Sequence, residues 1–281
     1  MLITELLPIL ETMVPLAAAG YERDAVGLQV GPPAGTHVSR VLFAYEVTMG
    51  VIEEATARGA NLIVVFHPLI FPSLTAVTDR TRTGRLLAEL IRRGIALYVQ
   101  HTAFDTQPEL GTSHVLAQAL GLREVRCLSP LIRQPSDTRA VGVFGMGAIG
   151  LLERPLSAEE LLGHTRRVLG TPILRHNAVC RPVIERVAVV GGAGMDYYQA
   201  AVASGADALI TADVRYHDLY RADHDELLLI DGGHAETEQF VTSAMALAAQ
   251  RACEPHFGTD GLTAETFLTA QTAPNSVRYV A

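Results

Sequence analysis

The sequence predicts an α/β protein of two lobes, each built on a mostly parallel sheet. Two observations support this prediction. Apolar runs of strand length alternate with stretches of helical periodicity, and the alternation occurs in both halves of the chain. The chain has 281 residues and 49% hydrophobic residues, which suits two globular lobes of ordinary size.

In the first half, three runs of strand type each precede a stretch of helical type. The strands are RVLFAYE (40–46), NLIVVFHP (61–68) and IALYVQH (95–101). The helices are MGVIEEATARG, TRTGRLLAELIRRG and GTSHVLAQALG, and each ends on a glycine, a common helix stop. The order βαβαβα favours parallel strands joined by crossover helices.

The second half repeats this order after a segment rich in Pro and Gly. Its strands are ERVAVVGG (185–192), ADALITAD (206–213) and LLLIDGG (227–233), and a long helix is expected from about His234 to Ala252. The segment before them predicts one strand and one helix, and Ser157 with Glu160 has the spacing of a capping box. We therefore expect an N-terminal lobe at 1–125, a joining segment at 126–180 and a C-terminal lobe at 181–281.

Composition argues against several classes of protein. The net charge is −8 without a Lys/Arg cluster, so nucleic acid is not an expected partner. The three cysteines are far apart, which argues against a disulfide framework or a zinc knuckle. The N-terminus carries Glu5 and Glu11 where a signal peptide would carry Lys or Arg, and no apolar run approaches the roughly 20 residues of a membrane span. We expect a cytoplasmic protein that binds small polar ligands or protein partners.

Polar residues follow the predicted strands at their carboxyl ends, where ligands gather in parallel sheets. His67 ends one strand, His101 and Asp105 follow the next, and the segment DGGHAETE (231–238) follows a strand in the second half. A polar residue after an aliphatic run places His67 at the rim of its sheet. Imidazoles and carboxylates that converge from different strands would suit Zn, Fe, Mn, Co or Ni.

The most specific local pattern is His234 with Glu238, four residues apart at the start of a predicted helix. Both side chains would then lie on one face and form half of a metal site. The alternative is a solvated first turn, in which Glu236 and Glu238 simply complement the helix dipole. The spacing by itself leaves both interpretations open.

Three further features are less specific. His101 and Asp105 are either site residues or a buried histidine next to a loop carboxylate. His217, within Tyr216-His217-Asp218, either borders the site or belongs to an ordinary polar helix start, and we favour the second. The segment GGAGMD (191–196) lacks the third glycine of a dinucleotide-binding loop, although a tight turn near a ligand phosphate stays compatible with it.

Five motifs in order resemble the GTP cyclohydrolase I type 2-like family, also called the Ngg-interacting-factor-like family. The resemblance extends from about Leu2 to the C-terminus and lacks the inserted domain of longer members. The motifs are GLQVG (27–31), FHPLIF (66–71), HTAFD with PELGTS (101–113), GGAGMDYYQAAVASGADALITADVRYHD (191–218) and DGGHAETE (231–238).

The resemblance implies a two-lobed α/β protein that assembles as a toroidal hexamer, with a dinuclear metal site in each subunit. The positions that match the ligands of the family are His67, Asp105, His234 and Glu238, with His101 close by. By the same resemblance, the glutamate bridges both metal ions. The implied cofactors are one or two divalent ions per subunit.

The chain departs from the family pattern at several positions. Phe66 stands where the family has the first histidine of a pair, so one metal position loses a donor. The stretch RDAVGLQVG lacks the Trp-Asp-Asn that often precedes GLQVG, Glu46 stands for a usual Asp, and Ala212 for a common Gly. These departures affect the expected metal occupancy and leave the expected fold intact.

Two functions follow as expectations. The first is a metal-dependent hydrolase that acts on a nucleotide or a related small polar molecule, since the family name implies opening of the GTP imidazole ring. The second is a metal-binding regulatory or scaffolding hexamer with little or no turnover, and the absence of a donor at Phe66 favours it.

Overall fold

A computed structural model describes residues 1–33, 35–178, 181–258 and 261–272. The chain divides into two compact units. Within the described residues, the first unit contains Met1–Phe104, Pro135–Val141 and the residues from Val241 onward. The second unit contains Asp105–Gln134 and Gly142–Phe240.

The strands and helices are numbered in chain order. The strands are β1 (Gly27–Val30), β2 (Val41–Ala44), β3 (Leu62–Val65), β4 (Ala96–Val99), β5 (Arg123–Pro130), β6 (Gly145–Leu156), β7 (Arg175–His176), β8 (Ile184–Ala193), β9 (Ala208–Ala212), β10 (Leu228–Asp231) and β11 (Phe267–Thr269). The helices are α1 (Ile3–Glu11), α2 (Met49–Ala57), α3 (Arg82–Arg93), α4 (His101–Asp105), α5 (Thr112–Ala119), α6 (Ala158–Leu169), α7 (Tyr198–Ala203), α8 (Tyr216–His224), α9 (His234–Thr237) and α10 (Val241–Cys253).

The first unit has a sheet in the order β1-β4-β3-β2-β11. Strands β4, β3, β2 and β11 are parallel, and only the pairing of β1 with β4 is antiparallel. Every residue of β2, β3 and β4 is buried. Continuous apolar strands of this kind are typical of a parallel sheet covered on both faces. The predicted strands and the mostly parallel sheet are confirmed here.

The second unit has a sheet in the order β5-β6-β8-β9-β10-β7. Only β8, β9 and β10 are mutually parallel, whereas β5, β6 and β7 pair antiparallel with their neighbours. The protein is therefore a mixed α/β fold with two sheets, and the prediction of a mostly parallel sheet is wrong for this unit. The prediction failed because it treated 126–180 as a joining segment, although this segment supplies β6 and most of β5.

The boundaries of the two units differ from the predicted lobes at 1–125 and 181–281. The segment 126–180 contributes β6 and α6 to the second unit, apart from residues 135–141. Helix α6 begins as predicted, because Ser157 Oγ accepts from Glu160 N at 3.2 Å and Glu160 Oε2 accepts from Ser157 N at 2.8 Å. The chain returns to the first unit at α10, which packs against α1 and β11.

The long helix predicted from His234 to Ala252 is wrong as a single element. Helix α9 ends at Thr237, and α10 starts at Val241. Glu238 follows α9 with φ −106° and ψ 2°, which are not α-helical angles. The interruption coincides with the passage from the second unit to the first. Helical periodicity in the sequence gives no sign of such a passage.

The described part of the chain contains no helix that is both long enough and apolar enough to span a membrane. Cys127 and Cys253 are buried free thiols, and burial raises their pKa values to about 11 and about 12. Burial thus keeps both side chains in the protonated, unreactive form at neutral pH. Cys180 lies outside the described residues.

The buried histidine of α5 makes folding stability depend on pH. His114 is 5% exposed, and burial lowers its pKa from 6.5 to about 4. As the pH falls below 6.5, the unfolded chain binds a proton before the folded chain does. The burial of neutral His114 therefore does not reduce the free energy of unfolding above pH 6.5. We expect this free energy to fall by about 2 kcal/mol between pH 6.5 and pH 5, with a further loss toward pH 4.

A His114→Gln variant should show this dependence in urea unfolding at pH 7 and pH 5. We expect the wild-type protein to lose about 2 kcal/mol more than the variant between the two values. The exposed His37, changed to Gln, is the control and should lose as much as the wild type. Equal losses in the wild type and the His114→Gln variant would contradict a buried neutral imidazole.

Candidate metal centre

In the first unit, three neighbouring parallel strands end at the same edge of the sheet. Backbone hydrogen bonds continue the ladder beyond the strands: His67 N donates to Tyr45 O, and His101 N donates to Phe66 O, both at 3.0 Å. These bonds fix the backbone of both histidines relative to each other. The sequence prediction that His67 and His101 stand at carboxyl ends of strands is confirmed.

His67 lies in a pocket of aromatic rings. Its side chain is 21% exposed, and its ring meets the ring of Tyr45 edge-on at 4.6 Å between centroids. Glu46 Oε1 is 4.0 Å from His67 Nδ1, at the outer limit of an ion pair. The ring is thus held by packing more than by a hydrogen bond to Glu46.

His101 is oriented by a buried carboxylate. Asp24 is 3% exposed at its side chain, and its two oxygens are 2.8 and 2.9 Å from His101 Nδ1. Thr102 Oγ1 also donates to Asp24, at 2.5 Å. Burial alone would raise the pKa of Asp24, but the hydrogen bonds from His101 and Thr102 outweigh it and lower this pKa. Asp24 is therefore an anion at neutral pH and holds His101 in the tautomer protonated at Nδ1.

The ring of Phe66 lies close to the rings of both histidines. Its side chain is 1% exposed and stacks on Tyr45 with 6.1 Å between ring centroids. The centroid of the His101 ring lies 5.7 Å away. A phenyl ring offers no metal donor, so residue 66 adds none to the imidazoles of His67 and His101.

In the second unit, the carboxyl ends of β8, β9 and β10 also meet at one edge. Gly192, Asp213 and His234 lie at or just after these three ends. His234 Nε2 is 3.2 Å from Glu238 Oε2, so the two predicted donors do converge. Glu238 is 4% exposed and Glu236 is 8% exposed. The alternative of a solvated helix turn is therefore wrong.

The imidazole of His234 has a carboxylate at each nitrogen. Asp213 Oδ2 is 2.7 Å from Nδ1, while Glu238 faces Nε2. The hydrogen bond to Glu238, aided by Asp213 and opposed by burial, raises the pKa of His234 to about 9. Metal ligation would take the place of the proton at Nε2, and the proton at Nδ1 would stay on the bond to Asp213. Metal-bound histidines in proteins usually donate their other ring N–H to a carboxylate, a backbone carbonyl or water, and Asp213 is a partner of this kind.

Gly192 packs directly against the side chains of His234 and Glu238. Gly192 has φ +65°, and a Cβ at this position would lie 2.2 Å from Glu238 Oε1 and 3.1 Å from His234 Nε2. The backbone cannot shift easily, because Gly192 N donates to Thr237 Oγ1 at 3.0 Å and its carbonyl accepts from Thr211 Oγ1 at 2.9 Å. Glu238 Oε1 and His234 Nε2 occupy the space that a side chain at residue 192 would need. One imidazole and one carboxylate in this arrangement fit a divalent metal ion.

Two other predicted site residues, Asp105 and His217, differ in their burial. Asp105 is the last residue of α4, four positions after His101, and is 9% exposed. His217 is exposed on α8, with its ring edge-on to Tyr216 at 5.4 Å between centroids. Asp218 Oδ2 accepts from Arg215 N, which makes this stretch the polar helix start that we favoured.

Sequence reasoning missed Asp24, Asp213 and Gly192. The two aspartates act on histidines that are 77 and 21 residues away in the chain. Asp213 was recognisable in principle, since it is the last residue of a predicted strand (206–213) and so stands at the ligand-binding edge. Asp24 lies before β1 and has no such signal. Gly192 was noted only as part of a glycine-rich turn.

Known proteins resemble this chain in sequence and in fold. The family model Duf34/NIF3 (NGG1p interacting factor 3) matches residues 1–266. A GTP cyclohydrolase 1 type 2 homolog of Streptomyces coelicolor is 37% identical over 239 residues, 84% of this chain and 81% of the relative. Another, from a Nostoc species, is 37% identical over 219 residues, 76% of this chain and 78% of the relative. The crystal structure of a Bacillus cereus protein related to NIF3 has the same fold, with TM-score 0.85, 22% identity, and 99% and 98% coverage.

Proposed function

Because the chain belongs to the Duf34/NIF3 family, we propose that it is a metal-dependent hydrolase-like protein acting on a nucleotide or a related small polar molecule. The proposed metal ligands are His67, Asp105, His234 and Glu238. The observation that carries the proposal is the pair His234–Glu238, whose donor atoms converge above a glycine. The name of the relatives, GTP cyclohydrolase 1 type 2 homolog, supports a nucleotide as the class of substrate.

The chemistry of the donors limits the metal. His67, His234 and Glu238 each offer one ligand atom, a ring nitrogen or a carboxylate oxygen. Such mixed sets suit Zn, Fe, Mn, Co or Ni, whereas Mg and Ca prefer oxygen ligands alone. We propose one or two ions per subunit, because Phe66 removes one donor of the dinuclear pattern.

The residues of the second unit have separate tasks in such a reaction. When bound, a divalent ion acidifies water and polarises the electrophilic atom of the substrate. Asp213 keeps the proton of His234 on Nδ1 and thereby orients Nε2 toward Glu238. Glu238 is buried, so its carboxylate acts in an environment where bulk water competes little.

A second function is favoured by one observation. Phe66 is buried and packed on Tyr45, so its ring is part of the core and provides no donor. A metal-binding regulatory or scaffolding protein needs neither a metal-activated water nor a second ion, so the loss of a donor at residue 66 is compatible with it. In this alternative the protein is a homohexamer that binds metal and has little or no catalytic turnover.

Metal analysis and a turnover screen distinguish the two functions. Protein purified without added metal is assayed for Zn, Fe, Mn, Co and Ni by mass spectrometry, and for hydrolysis of nucleotides including GTP. We expect about one metal ion or more per chain and measurable turnover, as a site with a metal-activated water requires. Light scattering on the same sample gives the number of chains per assembly.

The variant Glu238→Ala sharpens the comparison. It should abolish turnover if the carboxylate belongs to the site, while the exposed Glu153, changed to Ala, should leave turnover unchanged. Turnover that depends on Glu238 would exclude the purely scaffolding function. Fewer than about one ion per chain together with no hydrolysis would exclude the enzyme.

A further inference from the structure

We infer that the second unit binds an oxyanion of the phosphate class between Arg126 of β5 and Arg186 of β8. The inference goes beyond the proposed function, because it concerns a different place on the second sheet. Arg186 lies six residues before Gly192 in β8, which is roughly 20 Å along the strand. The anion therefore binds far from the edge that carries His234 and Glu238.

A small cavity is lined by both arginines. Its volume is about 120 Å³, which leaves room for several water molecules and hence for a small anion, but is below the volume of pockets that hold drug-sized ligands. Its lining consists of Glu124, Arg126, Ile149, Gly150, Leu151 and Arg186. Two guanidinium groups and one carboxylate give this lining a net positive charge, although the whole chain carries a net charge of −8.

The strand register places the two arginines on one face of the sheet. Arg126 is paired with Ile149, and Arg186 is paired with Leu151. Side chains of directly paired residues, and of residues two apart in a strand, lie on the same face. Arg126 and Arg186 therefore flank β6 from its two sides, separated by two strand spacings of about 4.8 Å each. Two long side chains at this separation can reach one anion above Ile149 and Leu151.

The side chains of Arg126 and Arg186 form no hydrogen bond or ion pair with any residue that the structure describes. The other arginines on strands of the second sheet do have partners. Arg123, Arg154 and Arg175 each donate to a carbonyl or carboxylate oxygen at 2.8 to 3.1 Å. The two strand arginines that lack a partner are thus the two that line one cavity. Guanidinium groups bind phosphate and carboxylate oxygens through charge-assisted hydrogen bonds, so an oxyanion is the ligand that fits them.

The backbone beside the cavity is also unusual. The pairing of β5 with β6 shifts register between Arg123 and Arg126, and Glu124 in this bulge has φ +53°. A left-handed backbone is unfavourable for a residue other than glycine. Bulges redirect side chains and are frequent next to functional sites. The bulge places Glu124 in the cavity wall, where its negative charge lowers the affinity for an anion.

Isothermal titration calorimetry with inorganic phosphate tests the inference on the full-length protein at about 0.15 M ionic strength. Arg126→Gln and Arg186→Gln should each weaken binding roughly 10-fold, because each removes a charge-assisted hydrogen bond. Glu124→Gln should strengthen binding about threefold, because it removes a nearby negative charge. Arg123→Gln is the matched control on the same strand. It changes the net charge equally, but its guanidinium donates to Glu153 O, so binding should stay within about twofold of the wild type.

AMP distinguishes two sources of the anion. If the source is the phosphate group of a nucleotide, AMP should bind as well, and Arg126→Gln should weaken the binding of AMP as it weakens that of phosphate. If the source is the free ion, only the binding of phosphate should respond to Arg126→Gln. Either result supports an oxyanion site at the two arginines.

Glu238→Ala separates this site from the proposed metal centre and should bind phosphate like the wild type. If both arginine variants bind phosphate like the wild type, the inference fails. Loss of binding in Glu238→Ala would then place the anion at the metal centre and leave the proposed function intact. A wild-type protein that binds no phosphate up to about 10 mM would overturn the inference as well. Circular dichroism verifies that each variant is folded, and Arg126→Met or Arg186→Met replaces a Gln variant that is not.

Discussion

A Gly192→Ala variant is expected to lose metal binding while it remains folded. The added methyl group would lie 2.2 Å from Glu238 Oε1 and 3.1 Å from His234 Nε2, so the carboxylate must leave its place. The turn cannot yield, because both the N–H and the carbonyl of Gly192 are bound to threonine hydroxyls. We expect the affinity for Co²⁺ or Zn²⁺ to fall more than roughly 100-fold, since a displaced ligand costs more than a lost outer partner.

The matched control is Gly170→Ala. Gly170 has φ +64°, almost the same as the +65° of Gly192, and a Cβ there would meet no atom within 4 Å. Both variants should lose about 1 kcal/mol of stability from the left-handed backbone, measured by urea unfolding. Gly192→Ala should lose more than this, because it also displaces the buried Glu238 carboxylate. Only Gly192→Ala should lose metal. Unchanged metal affinity in Gly192→Ala would show that His234 and Glu238 do not bind the ion together.

The comparison of the two units shows which part of the fold local sequence can predict. Strands β2, β3, β4, β8, β9 and β10 each contain an apolar run and are followed by a helix, and all were predicted. Strand β5 has an exposed and charged first half, and β6 lies in a stretch rich in glycine. Their pairing is decided by contacts with distant strands, which local composition does not reveal. The antiparallel half of the second sheet was therefore missed.

The candidate site, like the fold, is predictable from the sequence only where the signal is local. His67, His101, His234 and Glu238 were predicted because each stands after an apolar strand or at a diagnostic spacing. The residues that orient them, Asp24 and Asp213, act across the fold, and the role of Gly192 depends on where two side chains from another segment converge. Candidate donors can be named from the sequence, whereas the contacts that orient them become visible only in the tertiary structure.

A Phe66→His variant is expected to bind more metal ions per chain than the wild type and to be less stable without metal. Phe66 is 1% exposed and packs on Tyr45, so an imidazole in its place buries polar nitrogens and leaves part of the volume unfilled. Without metal, the free energy of unfolding should fall by about 2 to 4 kcal/mol. Added Zn²⁺ should recover part of this loss, because binding to the folded state alone stabilises it.

Phe66→Leu separates the new donor from the loss of packing. Leucine also removes the aromatic ring from the core, so this variant should be destabilised, yet its metal content should equal that of the wild type. Mass spectrometry of metals and urea unfolding with and without Zn²⁺ measure both quantities. If Phe66→His binds no more metal than Phe66→Leu, then residue 66 is not the sole departure from a two-metal site.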